Sequence, residues 1–329
     1  MKRTGYLHDL RYLLHDTGPY HPEMAERLSA IHQGIQGAGL LSRLTLIAAE
    51  PADLRWILSV HEENYVRRFE EVCLNGHKML DHSDNQMCTD SFEIAKLAVG
   101  GVLKAVRMVM EGEIDNAFCA VRPPGHHAEP GQAMGFCYFN NVAIAARYLK
   151  DEWDVKKIGI IDVDVHHGNG TQHIFEQDPT VFYYSIHQHP SFAFPGTGRD
   201  FETGIQAGKG FTKNSLALPG QGDEQYRHLL QRDLFPAFET FQPDFILVST
   251  GFDAHEDDEM SDINLTTAFY SEMMERIVEL ADNYCKGRLV SVLEGGYCLA
   301  RLPELAGHHV KILLDGRAGE RLRQRPLQG

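Results

Sequence analysis

The sequence predicts an α/β protein: three α/β/α layers around a central, mostly parallel sheet, in a single domain. Three observations carry that expectation. Short β-branched and aromatic runs alternate with amphipathic helical segments through the middle of the chain, the pattern of strand–helix–strand units covered by helices on both faces. Hydrophobic residues make up 43% and charged residues 23% of the 329 positions, which excludes a disordered or collagen-like chain. No internal repeat, low-complexity stretch or Pro/Gly/Ser linker divides it, so residues 1–314 read as one domain despite their number. Residues 315–329, polar and Arg-rich, read as a tail without fixed structure.

Buried strands are expected at residues 117–121, 158–162, 180–186, 245–250 and 289–293, each rich in Val, Ile, Leu, Phe or Tyr. Helices are expected between them. Residues 91–111 follow the capping candidates Thr89 and Ser91, and 141–153 follow a Gly/Asn-rich turn. Residues 223–241 are interrupted by Pro236, and 266–286 stop at Gly287, as at a C-cap.

The net charge of −15 argues against a nucleic-acid binder, which needs clustered Lys and Arg. No apolar run approaches the roughly 18 residues of a membrane span. The first residues lack the apolar core of a signal peptide. Six scattered cysteines without a C-x-x-C pair exclude a zinc-finger or disulfide scaffold. The expectation is a reduced, cytoplasmic protein.

In open parallel sheets, ligands bind beyond the carboxyl ends of the strands. The segments that follow the five strands are RPPGHHAEPGQAMGFCYFNN, DVDVHHGNG, SIHQHPSFAFPGTG, GFDAHEDDEM and EGGY. Seven of the 18 histidines fall between His126 and His189, a clustering unlike a bland surface distribution.

Within DVDVHHGNG, extended backbone would place Asp162, Asp164 and His166 on one face. Carboxylates and an imidazole without cysteine suit Zn²⁺ or a similar divalent ion. Asp253, leaving another strand of the same sheet, is a natural further ligand, although such a residue alone serves as often as a helix cap. His255 and the acidic run 256–259 are expected at a solvated rim. His126 and His127 follow a stiff Pro-Pro-Gly turn, where adjacent imidazoles can serve as base and electrostatic partner to a metal-bound water. A second pair, His308–His309, reads as structural or exposed. Tyr297, on a Gly-Gly loop, could donate its hydroxyl to a developing oxyanion. Phe136 and Phe194 either wall a narrow apolar channel or are ordinary core residues.

Together with HPEMAER (His21–Arg27), these motifs resemble the arginase/deacetylase superfamily, and within it the zinc-dependent histone deacetylase family. RPPGHHA, MGFCYFNN, DVDVHHGNGTQ, SIH…FPGTG, STGFDAH and LEGGY occur in that family's order from about residue 5 to 314. The Asn of HHGNG and the Glu of LEGGY are closer to class II and bacterial members, the histone deacetylase-like and acetylpolyamine amidohydrolases. The resemblance implies the arginase/deacetylase fold and zinc held by Asp164, His166 and Asp253. It implies paired catalytic histidines at His126, oriented by Asp162, and at His127, oriented by Asn169, with Tyr297 polarising the acyl carbonyl. It also implies K⁺ near the zinc, held by Asp162, Ser185 and Ile186 with main-chain oxygens of Asp164 and His166. A second monovalent site would involve Phe175, Asp178 and Val181. Gly135, Phe136, Phe194 and Met260 would line the acyl channel, and Arg27 an internal cavity beneath the metal.

The implied reaction is removal of an acetyl or related acyl group from acyl-lysine in proteins or peptides. The alternative is deacetylation of an acetylpolyamine or other small acylated amine. Three departures weigh against a strict polyamine reading: Asp258-Glu259 replaces the usual Asp-Pro, Met260 replaces a Glu, and HDTGPYHPE lacks a long insertion. A binuclear manganese ureohydrolase would need further Asp ligands. A non-catalytic acyl-lysine binder would not need the His pair and Tyr297 together.

Overall fold

The strand–helix alternation folds into one eight-stranded sheet, every neighbouring pair of which is parallel. The computed structural model describes residues 2–316. The strands are β1 (Thr4–Leu7), β2 (Leu44–Ile47), β5 (Asn116–Cys119), β6 (Ile158–Asp162), β7 (Val181–Gln188), β8 (Thr212–Ala217), β9 (Phe245–Thr250) and β10 (Leu289–Leu293). Their order across the sheet is β2-β1-β5-β10-β9-β6-β7-β8. A small antiparallel pair, β3 (Met79–Leu80) and β4 (His82–Gln86), stands apart. Strands β5, β6, β9 and β10 are buried along their whole length, as continuous apolar runs in a parallel sheet must be.

The helices are α1 (Glu26–Gly37), α2 (Leu54–Ile57), α3 (Glu63–Leu74), α4 (Ser91–Met110), α5 (Asn141–Trp153), α6 (Asn169–Phe175), α7 (Asp223–Leu229), α8 (Phe235–Phe241), α9 (Thr267–Tyr284) and α10 (Leu302–Asp315). One group joins α1 to α10 and α10 to α9, another joins α4 to α2, α3 and α5, and both reach β5. No helix among the described residues is long and apolar enough to cross a membrane.

Three sequence expectations change. Strands β1, β2 and β8 were not foreseen. β2 and β8 are the two edges of the sheet, where one flank is free and polar residues such as those of TKNSLA are tolerated. Thr89 and Ser91 do not cap α4, whose N-cap is Asp90. The Ser91 hydroxyl instead accepts from Cys88 N–H and meets His15 Nδ1 at 2.7 Å. The expected tail also begins too early, because Asp315 closes α10 and pairs with Arg43 at 2.8 Å. The remainder of that tail, from residue 317, lies outside the described residues.

Pro236 acts as expected on the long helix. It has no N–H to continue the ladder, so the helix widens into a π-helical turn at Leu230–Leu234 and restarts with Pro in the first turn of α8.

Candidate metal centre and active site

The carboxyl ends of β5, β6, β9 and β10 meet at one edge of the sheet, and the loops that leave them carry the site. Asp164, His166 and Asp253 converge there, all buried, with one potential ligand atom from each within 4.8 Å of the others. His166 Nδ1 lies 3.2 Å from Asp164 Oδ1 and 3.2 Å from Asp253 Oδ2. Burial first, then the neighbouring Asp164, pushes Asp253 up to about 6. Two carboxylates this buried repel each other, and a divalent cation relieves that repulsion. Two glycines make the approach possible. A side chain on Gly295 would meet Asp253 Oδ2 at 2.1 Å, and one on Gly251 would meet Asp164 Oδ2 at 2.2 Å. The donor set of two carboxylate oxygens and one imidazole, closed in by glycine backbone, fits zinc or a similar divalent ion.

Asp162 does not share the face of this cluster, contrary to the i, i+2, i+4 reading. β6 ends at Asp162, so strand alternation stops there. Its carboxylate turns to His126 Nδ1 (3.1 Å), the Tyr183 hydroxyl (2.9 Å) and Asp164 N–H (3.2 Å). Burial works against a charged His126, but Asp162, Asp164 and Glu294 outweigh it and raise its pKa to about 10. His127, whose ring centre lies 4.0 Å from that of His126, goes the other way. Burial, then His126 and His166, lowers its pKa well below the ordinary value. Its Nδ1 meets Asn169 Oδ1 at 2.7 Å. One histidine of the pair thus favours the cation and the other the neutral base.

Tyr297 is held by its backbone. Tyr297 N–H and Cys298 N–H both donate to Asp258 Oδ2, at 2.6 and 2.9 Å. Asp258 is therefore a buried clamp, and so is His255, bonded to Thr267 at 3.0 Å. The solvated rim expected of residues 255–259 is reduced to Glu256, Asp257 and Glu259. Asp258 is drawn inward because two adjacent N–H groups at the Tyr297 turn need an acceptor. Arg27 braces the same loop from below. It donates to Gly296 O (2.6 Å), Glu294 O (2.5 Å) and Glu23 Oε1 (2.8 Å), and its guanidinium lies 4.8 Å from the Tyr297 ring centre. Burial raises the Tyr297 phenol well above its usual range, which keeps the O–H as a donor.

Phe194 packs edge-on to His127 at 5.0 Å, and Phe136 to Tyr297 at 6.0 Å. Phe136 adopts φ 69°, rare for a bulky residue, with its N–H donating to Asn85 Oδ1 at 2.9 Å. Gly135 lies where a side chain would strike both His127 and Phe194. Met260 sits half-buried two residues beyond Asp258, to which its N–H donates. Asp162 and Ser185 are register partners across β6 and β7, with Ile186 next in line. The Asp178 carboxylate is occupied by Lys150, Arg147 and Thr180, so a cation between Phe175 and Val181 would rest on main-chain oxygens. Of the second histidine pair, His309 is buried against Ser291 at 2.9 Å and His308 is exposed.

Sequence reasoning missed the supporting acids. Glu294 accepts from Gly125 N–H (2.7 Å), His126 N–H (3.1 Å) and the Ser249 hydroxyl (3.0 Å). Burial, opposed by His126 and these N–H groups, pushes it up to about 7. It converges with His126 and Cys137, but its oxygens are already spent on fastening the histidine loop. Glu23 binds Arg122 twice, at 2.6 and 2.8 Å, and Arg27 once. Glu23 lies ahead of α1, which begins at Glu26, and no local pattern in the sequence marks its pairing with either arginine.

Comparisons with known proteins show which family the chain resembles. Residues 21–313 match the histone deacetylase domain family. The chain is 41% identical to a probable deacetylase of Archaeoglobus fulgidus, over 89% of this chain and 81% of that one. It is 36% identical to a histone deacetylase-like amidohydrolase of Pseudomonas aeruginosa, over 92% and 83%. The crystal structure of the HDA15 HD domain superposes with a TM-score of 0.88 at 35% identity, covering 95% of this chain and 89% of that one. The chain therefore belongs to the histone deacetylase family and is a hydrolase of its deacetylase and amidohydrolase type.

Proposed function

We propose that the protein is a zinc-dependent amidohydrolase that removes an acetyl or related acyl group from the side-chain amine of acyl-lysine in proteins or peptides. The observation that carries this reading is the convergence of Asp164, His166 and Asp253 beside the His126–His127 pair, tied to Asp162 and Asn169, and the backbone-clamped Tyr297. Zinc held by those three residues would supply Lewis acidity to the amide carbonyl and lower the pKa of the attacking water. His127 accepts the water's proton and later returns a proton to the leaving amine. His126, tied to Asp162, holds positive charge beside it. The Tyr297 hydroxyl donates to the oxygen of the carbonyl as negative charge builds there. Phe136 and Phe194 flank the acyl-lysine chain, and K⁺ beside Asp162, Ser185 and Ile186 would support the β6–β7 end. Six free cysteines support a reducing compartment, the cytoplasm.

Asp164→Asn tests the ligand assignment. It should weaken zinc binding by more than the roughly 10–100-fold that losing an outer partner costs, with hydrolysis lost in parallel. Zinc content after dialysis is the measurement, and a variant that keeps one zinc per chain contradicts the assignment. Side-by-side kcat/KM for an acetyl-lysine peptide, an acetylpolyamine and a longer-chain acyl-lysine peptide tests the substrate. Preference for the acetylpolyamine would replace the protein-lysine reading.

A further inference from the structure

The hydrogen bonding behind His127 continues past Asn169. Asn169 Nδ2 donates to Glu129 Oε1 at 2.5 Å and to His127 O at 3.3 Å. The same Glu129 oxygen lies 2.8 Å from His173 Nδ1, on an exposed ring. Four side chains therefore run in line from solvent to the site: His173, Glu129, Asn169, His127.

We infer that Glu129 is a positioning residue for His127, acting through Asn169: its carboxylate locks the Asn169 amide in one orientation and so fixes which ring nitrogen of His127 carries the hydrogen. A carboxylate only accepts. Turning the amide over would bring its oxygen against Glu129 Oε1, acceptor on acceptor, and would forfeit the bond to His127 O. With Nδ2 held on Glu129, Oδ1 faces His127 Nδ1, and an amide oxygen can only accept there. His127 Nδ1 must then carry the hydrogen, and Nε2 keeps the lone pair that takes up a proton. Without the lock, the amide can present its NH₂ to Nδ1, which favours the opposite tautomer and a ring unable to act as base. An asparagine is symmetric in shape; the short bond to the Glu129 carboxylate sets its orientation, and the longer contact to His127 O favours the same one.

The inference rests on the proposed role of His127 as base, so its test reads the tautomer as well as turnover. In the zinc-loaded protein with ¹⁵N-labelled histidine, the His127 ring should show the Nδ1–H tautomer. Glu129→Gln, whose own amide can accept or donate, should give a mixture. That variant should lose kcat about tenfold or more, part of the roughly 10²–10⁴ that acid–base catalysis supplies, with KM little changed. Asn169→Asp alone should also lose kcat, because two carboxylates would then stand in contact. Combining the two should restore most of the activity, since an aspartate accepts from Nδ1–H without needing Glu129. A partly buried brace with no positioning role would make the two losses multiply. Should Glu129→Gln fail to fold, Glu129→Asp, charged but too short, replaces it. An unmixed tautomer with full kcat in the Glu129 variant, or multiplying losses, overturns the inference. A wild-type protein that hydrolyses no acylated amine removes the base role instead, while a tautomer mixed only in the variant still upholds the lock.

Discussion

Tyr297→Phe is expected to cost about 2.7–4 kcal/mol of transition-state stabilisation, a roughly 10²–10³-fold fall in kcat, with KM and zinc content nearly unchanged. The substitution removes one oxygen and leaves everything that positions the ring. Its backbone stays clamped by Asp258, which accepts from Tyr297 N–H and Cys298 N–H. Its ring stays between the Arg27 guanidinium, 4.8 Å below, and the edge of Phe136 at 6.0 Å. Its loop stays tied to the metal cluster, because Gly295 N–H donates to Asp164 Oδ2 at 2.8 Å. The loss therefore isolates a hydroxyl that burial keeps protonated and that substrate needs only when its carbonyl oxygen becomes negative. Steady-state kinetics at saturating and sub-saturating acyl-lysine peptide separates kcat from KM. Near-full kcat in the variant would remove Tyr297 from the proposed chemistry.

The parts of this molecule that were legible in its sequence are those set by local pattern. β6, β9 and β10 are mostly apolar and buried along their whole length, and the observed strands match the expected residues. The helix expected at 141–153 has those bounds because Asn140 caps it, accepting from Ala143 N–H. Once the strands were located, the rule that ligands gather at their carboxyl ends pointed to the loops that carry Asp164, His126 and Tyr297. Partner choice was not legible. Asp258 looked like surface because it stands in a run of acids, and nothing nearby in sequence reveals the two N–H groups near Tyr297 that draw it inward. Glu294 and Gly125 are 169 positions apart, and Arg122 and Glu23 are 99 apart. Such pairs arise only when the sheet order places β5 between β1 and β10. The failure at Asp162 is instructive in the opposite sense: the alternation rule was sound, but the strand ends at Asp162, the first of the three residues to which it was applied.

Glu23→Gln should destabilise the fold by about 3–5 kcal/mol at neutral pH, the cost of leaving buried cations without their carboxylate. Glu23, Arg27 and Arg122 are each fully buried. Arg122 reaches both Glu23 oxygens and also donates to the carbonyls of Glu23, Tyr12 and His15. Arg27 reaches Glu23 on one side and the Glu294–Gly296 loop on the other. The carboxylate thus joins the N-terminal segment, the histidine loop and the tyrosine loop, and a neutral amide cannot balance two guanidinium groups. Burial alone would raise the pKa of Glu23, but Arg122 and then Arg27 outweigh it and hold it below the ordinary 4.5. A carboxyl group lowered in the folded state contributes stability above its unfolded pKa, and that contribution is lost as pH falls through the folded value. The gap between wild type and Glu23→Gln should therefore be constant from about pH 6 to 8 and narrow in acid, where the wild-type carboxylate itself becomes protonated. Urea unfolding of the zinc-loaded proteins across that range measures the gap. A difference under about 1 kcal/mol would mean the cluster is no tighter than a surface ion pair. A gap that persists unchanged through acid would mean that shape, and not charge, is what the glutamate supplies.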